Sequence, residues 1–243
     1  MRLKSRLVAA LKNCPPLFRF CSRAYHRLNS RFRTLSPGTP EAIARALALV
    51  KSERGDDVGD YYEFGLFRGY TFLAAFRESE RLGLNEMHLY GFDSFRGLPD
   101  LGSQDSSDAR FFRGQFAASR DQVAEDLTQR GIDWSRAELI EGFYEDSLTE
   151  ELKKALPRKN AAVVLLDCDL YSSTATALSW IDDLLLPGSI LLFDDWASYD
   201  GREDVGQPRA FFEFLTARTQ WRSEDFGSFG KHGKGFVLRA AER

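Results

Sequence analysis

Four aspartates follow two apolar stretches of the sequence, and their type and spacing are suited to binding a cation. Asp167 and Asp169 end the run AAVVLLDCDLYSST, and Asp194 and Asp195 end the run GSILLFDDW. Adjacent strands lie about 4.8 Å apart, so acids that follow two buried strands can meet at one sheet edge. Converging carboxylates need a counter-charge, and oxygen-only ligands favour Mg²⁺, Mn²⁺ or Ca²⁺ over zinc. The alternative is that these acids end strands and face water.

The spacing of Asp167 and Asp169 predicts that both side chains face the same site. Residues two apart in an extended strand face the same side, so both carboxylates are expected to face one site while Cys168 packs behind it. One aspartate would then ligate the cation and the other would accept a proton. His232, in a glycine-rich segment near the end of the chain, is an alternative base.

A second group of residues indicates a nucleoside pocket. Glu63 begins the segment EFGLFRG, in which Gly65 suits a tight turn and Gly69 allows close approach of the next helix. Asp93 and Glu141 end the next two apolar runs, where ribose-binding acids lie in doubly wound sheets. The dinucleotide fingerprint Gly-x-Gly-x-x-Gly is not present in EFGLFRG. The alternative for each acid is a solvated strand end.

The elements that position these residues alternate between strands and helices, which predicts a parallel sheet with helices on both faces. Two final strands, 221–226 and 236–239, flank a glycine-rich bend and predict an antiparallel hairpin. The polar segment 97–114 is expected to form a mobile loop over one sheet edge. The other strands are expected near 61–64, 88–93, 137–141, 161–167 and 189–194, and the helices near 41–53, 69–82, 119–130, 147–156, 173–185 and 208–219.

The composition predicts one α/β domain. The 243 residues are 43% hydrophobic and 28% charged with a net charge of −3, which gives no indication of nucleic-acid binding. The three cysteines form no metal-type pair or disulfide framework, which favours a reducing, cytoplasmic location. No apolar stretch approaches the roughly 20 residues of a membrane span.

The first 40 residues differ from the rest because they carry nine Lys or Arg and no acid. We expect a basic N-terminal helical appendage over residues 1–40 and one domain over 41–243. Leucines 3, 7 and 11 recur at helical spacing, which permits peripheral contact with a membrane surface. An organelle transit peptide and an appendage that packs on its own domain, caps the site or helps form a homo-oligomer are the alternatives.

The segments EFGLFRG, GFDSFRGLP, LIEGFYEDSL, LLDCDLYSST and LLFDDW occur in this order. Together they resemble the macrocin-type, metal-dependent sugar O-methyltransferases of antibiotic biosynthesis, a branch of the class I S-adenosylmethionine-dependent methyltransferases. The resemblance runs from about residue 60 to residue 239. It implies a Rossmann-like class I methyltransferase sheet, S-adenosylmethionine and Mg²⁺ or Mn²⁺ as cofactors, and a sugar or glycoside as acceptor.

The resemblance also implies roles for individual residues. The metal ligands would be Asp167, Asp194 and Asp195, and the general base would be Asp169. The residues near the methionine part of the cofactor would be Glu63, Gly65 and Gly69. Those near the ribose would be Asp93 and Ser94, and those near the adenine would be Glu141 and Gly142.

Three alternatives differ from this prediction. A methyltransferase for catechol-like hydroxyls needs the same metal geometry. A non-catalytic cofactor-binding protein could retain the scaffold, although four converging carboxylates argue against it. A nicotinamide-dependent oxidoreductase is disfavoured by the absent glycine fingerprint and by the terminal hairpin.

Overall fold

Strands and helices alternate along the part of the chain that the computed structural model describes, namely Phe32 and residues 35–55, 57–105, 111–157 and 160–241. Most of the predicted appendage, residues 1–40, lies outside these ranges. The strands are β1 (Asp60–Phe64), β2 (Leu89–Asp93), β3 (Ala137–Glu141), β4 (Ala161–Leu166), β5 (Leu185–Phe193), β6 (Trp221–Phe229) and β7 (Gly233–Ala240). The helices are α1 (Thr39–Arg54), α2 (Tyr70–Arg81), α3 (Arg120–Gln129), α4 (Tyr144–Ser147), α5 (Glu150–Ala155), α6 (Tyr171–Ile181) and α7 (Gly206–Ala217).

These strands form one sheet in the order β3-β2-β1-β4-β5-β7-β6. Strands β1 to β5 are parallel, and β7 is antiparallel to both β5 and β6. β4 has the sequence AAVVLL and is buried along its whole length, as expected for a strand covered on both faces. The prediction of a mostly parallel sheet with an antiparallel C-terminal hairpin is therefore confirmed.

Helices cover both faces of the sheet, as predicted. Apolar side chains from α1, α2 and α3 pack on one face, and those from α6 and α7 pack on the other. The parallel strands are in register at their carboxyl ends, where Phe64 of β1 pairs with Phe92 and Leu166. The residues that follow these strands therefore meet at one edge. No described helix is long and apolar enough to cross a membrane.

The C-terminal hairpin has longer strands than the glycine content predicted. Gly227 lies within β6 at a shift in register, with φ of 111°, and marks a bulge. Gly235 lies within β7, where an added Cβ would be 2.6 Å from a ring atom of Phe226. These glycines permit a bulge and a close approach within strands, so the prediction that they form a loop was wrong.

The boundaries of other elements also differ from the prediction; α6, for example, is Tyr171–Ile181 and was expected near 173–185. β5 begins at Leu185 and not at residue 189. The pairing of β5 with β4 shifts register before Ile190, and Gly188, with φ of 90°, lies at this irregularity. The helix predicted over 147–156 is two short helices. Thr149 begins the second of them by accepting the Leu152 N–H with its side chain at 3.1 Å.

The segment before α1 packs against the turn between β6 and β7. α1 begins at Thr39 and not after Pro40, since proline is compatible with the first turn of a helix. An added Cβ on Gly38 would be 2.5 Å from the Gly230 nitrogen, and one on Gly230 would be 2.7 Å from the Pro37 carbonyl oxygen. The two segments therefore touch through backbone atoms.

Candidate active site

A cavity opens at the carboxyl edge of the parallel strands, close to the point where strand order reverses between β1 and β4. Ligands of doubly wound sheets bind at such a position. Residues after each of the five parallel strands contribute to it, together with the segment before α1. The lining includes Leu35, Ser36, Gly65, Leu66, Phe67, Tyr70, Thr71, Asp93, Ser94, Gly97, Leu98, Pro99, Phe116, Gly142, Tyr144, Asp167, Cys168, Asp169, Ser172, Ser173, Thr176, Asp194 and Asp195.

Gly65 lets the ends of β1 and β4 approach each other at the cavity. Its φ is 96°, and an added Cβ would lie 1.9 Å from the backbone oxygen of Asp167. Its N–H donates to the carbonyl oxygen of Phe92 at 2.9 Å. A side chain at this position would force the two strand ends apart.

Asp93 fixes the turn that follows β1. One carboxylate oxygen accepts the backbone N–H groups of Leu66 at 2.8 Å and Phe67 at 3.0 Å, and the other accepts that of Phe95 at 2.7 Å. Burial raises the pKa of Asp93, although these N–H groups act in the opposite direction. Asp93 therefore holds the turn in shape, and the ribose contact predicted for it stays a prediction.

Glu63 lies behind the cavity and not in its lining. Its two carboxylate oxygens accept the hydroxyls of Thr71 and Tyr61, each at 2.6 Å. Burial raises the pKa of Glu63 to about 8, against the lowering effect of the two hydroxyls. Because Thr71 does line the cavity, the side chain predicted to touch the cofactor is separated from the open space by its own hydrogen-bond partner.

Two further residues predicted to contact the cofactor also lie outside the lining. Gly69 begins α2 with φ of 73°, and a Cβ there would be 3.2 Å from Leu127, so this glycine serves helix packing. Glu141 is exposed, with the Arg96 guanidinium 3.9 Å away. Its neighbour Gly142 and Ser94 after β2 do line the cavity, and their contacts with a cofactor stay predictions.

Asp167 and Asp169 both reach the cavity, but the reason given by strand alternation was wrong. β4 ends at Leu166. The Asp167 N–H still donates to the Phe64 carbonyl oxygen of β1 at 2.8 Å, so the pairing of the two strands extends by one hydrogen bond. The chain then turns, because Asp169 has φ of 60°. Cys168 is buried with its sulfur 3.5 Å from the Thr174 hydroxyl, and it also borders the cavity. A turn, and not an extended strand, brings Asp169 into place.

Asp194 and Asp195 are held by different partners. The Asp194 carboxylate accepts the hydroxyl of Ser36 on one oxygen and that of Thr39, at 2.5 Å, on the other. The Asp195 carboxylate accepts the backbone N–H of Asp169 at 3.2 Å and the hydroxyl of Ser198 at 3.0 Å. Both carboxylates are therefore held by hydrogen bonds directly after β5.

The four aspartates lie close enough to affect one another's ionisation. Burial raises the pKa of Asp167 well above its usual value, and the neighbouring carboxylates add to the effect. Burial also raises the pKa of Asp169 well above its usual value, and the carboxylates of Asp195 and Asp194 add to the effect. Burial also raises the pKa of Asp194, while the two hydroxyls and the His232 charge lower it. All four aspartates line the same cavity.

The donor set fits a hard divalent cation in its chemistry, since it consists of carboxylate oxygens whose mutual repulsion a cation relieves. As the side chains are placed, no group of three or more His, Cys, Asp or Glu in the described ranges is arranged to hold a metal ion. Coordination by Asp167, Asp194 and Asp195 would require these carboxylates to adjust. The cation therefore stays a prediction.

Several lining residues were not identified from the sequence. Ser36 and Thr71 enter through contacts between distant elements, which no local pattern signals. Ser172 and Thr176 are one helical turn apart at the start of α6, directly after the aspartates, and this spacing is a signal that could have been read. The loop after β2 contributes Gly97 and Leu98, in agreement with a loop over this edge.

Comparison with known proteins places this chain in a family. The sequence profile described as macrocin-O-methyltransferase (TylF) matches residues 43–210, which is more than half of the chain. The solved structure of the O-methyltransferase NovP superposes with a TM-score of 0.66 at 20% identity, covering 82% of this chain and 79% of that chain. That similarity shows the same fold.

Two curated relatives are O-methyltransferases, and the name of the first specifies a rhamnosyl group. The 8-demethyl-8-(2,3-dimethoxy-alpha-L-rhamnosyl)-tetracenomycin-C 4'-O-methyltransferase of Streptomyces olivaceus is 27% identical over 62% of this chain and 61% of its own length. The mycinamicin III 3''-O-methyltransferase of Micromonospora griseorubida is 25% identical over 66% of this chain and 64% of its own length. The chain thus spans less than two thirds of either relative. On the profile match, this chain belongs to the macrocin O-methyltransferase family.

Proposed function

We propose that this protein transfers the methyl group of S-adenosylmethionine to a hydroxyl of a sugar or glycosylated natural product, with a divalent cation and with Asp169 as general base. The observation that carries the proposal is the presence of Asp167, Asp169, Asp194 and Asp195 in the same cavity as the Gly65 turn. Membership of the family and the rhamnosyl group in the name of one curated relative support the acceptor class.

The two halves of the cavity suit the two parts of this reaction. The first half is formed by the turn after β1 and the residues after β2 and β3, and it would hold the cofactor beside Gly65, Ser94 and Gly142. S-adenosylmethionine supplies the methyl group from a sulfonium centre. The second half contains the aspartates, so an acceptor hydroxyl bound there would face the cofactor across one continuous space.

Deprotonation of the acceptor is the second requirement, because a sugar hydroxyl is a weak nucleophile at neutral pH. Asp169 is the proposed base, and its carboxylate would accept the hydroxyl proton as the acceptor oxygen bonds to the methyl carbon. The bond between that carbon and the sulfonium sulfur would break, and a neutral thioether would leave. Asp167, Asp194 and Asp195 would hold Mg²⁺ or Mn²⁺. Such a cation would help to orient the acceptor and would stabilise the negative charge that develops on its oxygen.

A mass-spectrometric screen tests the proposal. Purified protein with S-adenosylmethionine and Mg²⁺ is offered a panel of glycosides, a free sugar nucleotide and a catechol, and each mixture is repeated with excess chelator. We expect a glycoside to gain one methyl group. We expect no methylated product when chelator is present. Methylation of the catechol alone would overturn the sugar assignment. Cofactor binding without product on any acceptor would favour a non-catalytic binding protein.

A further inference from the structure

We propose that Thr39 and Ser36 are positioning residues that orient Asp194 for cation binding. This inference rests on the cation assigned in the proposed function. Each oxygen of the Asp194 carboxylate accepts one hydroxyl, that of Thr39 at 2.5 Å on one side and that of Ser36 on the other. Thr39 is fully buried, and Asp194 is 5% exposed. A pair of hydroxyls bound in this way fixes the plane of the carboxylate.

The hydroxyls are themselves held by backbone structure. Thr39 is the first residue of α1, and its N–H donates to the Ser36 carbonyl oxygen at 3.3 Å. Gly38, between them, packs directly on Gly230 in the turn between β6 and β7. The segment cannot withdraw from Asp194 without separating from this turn.

The carboxylate is fixed from the other side by the sheet. The Asp194 N–H donates to the Leu166 carbonyl oxygen at 3.1 Å, so its backbone extends the pairing of β5 with β4. The chain turns after this residue. The strand thus sets where the Asp194 side chain starts, and the two hydroxyls set the direction in which its oxygens point.

Hydroxyl contacts of this kind leave capacity for a metal. A carboxylate has about four lone-pair sites on its two oxygens, and one hydroxyl on each oxygen uses two of them. The remaining sites can face the cavity, which Asp194 itself lines. Outer partners of metal-binding side chains orient their ligands, and removing one typically weakens metal affinity about 10-fold to 100-fold.

Titration of Mn²⁺ into the full-length protein, without cofactor or acceptor, measures the effect by calorimetry. Thr39→Val keeps the side-chain shape and removes the hydroxyl, whereas Thr39→Ser keeps the hydroxyl. Thr216→Val is the matched control, since the exposed Thr216 hydroxyl donates to the Phe212 carbonyl oxygen within α7. We expect Mn²⁺ to bind about 10-fold to 100-fold more weakly to Thr39→Val, and with near wild-type affinity to Thr39→Ser and Thr216→Val.

The possible outcomes separate this inference from the proposed function. Wild-type protein that binds no Mn²⁺ would overturn the cation assignment and this inference with it. Wild-type binding with unchanged or tighter binding by Thr39→Val would overturn this inference alone, and tighter binding would mean that the hydroxyls compete with the ion. If Thr39→Val does not fold, Ser36→Ala at a half-buried position is measured instead, with the same expectation.

Discussion

At the scale of single residues, the partners of each aspartate indicate its contribution to the cavity. Asp93 accepts three backbone N–H groups and fixes a turn, and Asp194 accepts two hydroxyls from the segment before and at the start of α1. Asp169 has a left-handed backbone conformation, and its N–H donates to Asp195. A left-handed conformation is costly for a residue other than glycine, and such residues concentrate at functional sites.

Asp169→Asn tests the proposed base. The substitution keeps the size of the side chain and its backbone N–H but removes a proton acceptor. We expect kcat to fall by about 10² to 10⁴ while cofactor affinity stays within a few-fold of wild type. Steady-state kinetics and cofactor titration measure the two quantities, with exposed Asp133→Asn as the control. Turnover equal to wild type would remove Asp169 from the reaction.

Glu63 gives a prediction for stability. Its pKa is raised from 4.5 to about 8, so between these values the folded protein keeps a proton that the unfolded chain has lost. The contribution of Glu63 to stability is therefore complete below pH 4.5 and is lost as the pH rises through about 8. The slope is at most about 1.4 kcal/mol per pH unit.

Glu63→Gln should flatten this part of the pH profile, since glutamine does not titrate. Urea unfolding across this pH range measures the free energy of unfolding of wild type and variant. Subtracting one profile from the other removes the contributions of the other titrating groups. Glu138→Gln, at an exposed position of β3, is the control. Parallel profiles for wild type and Glu63→Gln would show that Glu63 titrates normally in the folded protein.

At the scale of elements, the sequence predicted the strands better than the connections between them. Runs such as AAVVLL predict a buried strand because every residue is apolar, and β4 is buried throughout. Gly227 and Gly235 were misread as a loop because a glycine in a strand and a glycine in a turn have the same local signal. The turn at Asp169 was also missed, since an aspartate gives no local sign of a positive φ.

The turn at the end of β1 gives a prediction at this scale. Gly65→Ala and Gly131→Ala both place a side chain at positive φ, which costs about 1–2 kcal/mol each. Only at Gly65 does the new Cβ meet a backbone atom, the Asp167 oxygen at 1.9 Å, whereas nothing lies within 4 Å at Gly131. We expect Gly65→Ala to lower the free energy of unfolding by about 1–3 kcal/mol more than Gly131→Ala.

Denaturant unfolding of the two glycine variants measures that difference directly. Gly65→Ala should also weaken cofactor binding, because the turn it distorts lines the cavity. Equal destabilisation of the two variants would show that the ends of β1 and β4 relax without cost.

At the scale of the whole molecule, the fold class and the position of the cavity could be predicted because both depend on strand order. The four aspartates follow two strands that pair directly, β4 and β5. Ser36 and Thr39 could not be predicted as their partners. They lie 158 and 155 residues from Asp194 in the sequence, and only the packing of α1 brings them close. The charge and composition of the whole chain contain no information about a specific contact such as this one.

Cofactor binding should stabilise the whole molecule if the proposed function is correct. S-adenosylmethionine at 100 times its Kd should raise the free energy of unfolding by about 2.7 kcal/mol, because it binds the folded state only. Thermal unfolding at several ligand concentrations measures the shift in Tm, with NAD and NADP as controls. A shift with a nicotinamide dinucleotide and none with S-adenosylmethionine would favour the oxidoreductase alternative.

The contact between Gly38 and Gly230 joins the beginning of the described domain to its last hairpin. Only backbone atoms meet there, so no side chain can change conformation to make room if one segment shifts toward the other. An insertion in the β6–β7 turn would displace Pro37, and through Ser36 and Thr39 it would tilt the carboxylate of Asp194. None of the described residues of that hairpin lines the cavity. The hairpin nevertheless supports the segment that contacts Asp194. We therefore expect the β6–β7 turn to tolerate insertions poorly, although exposed turns usually tolerate them.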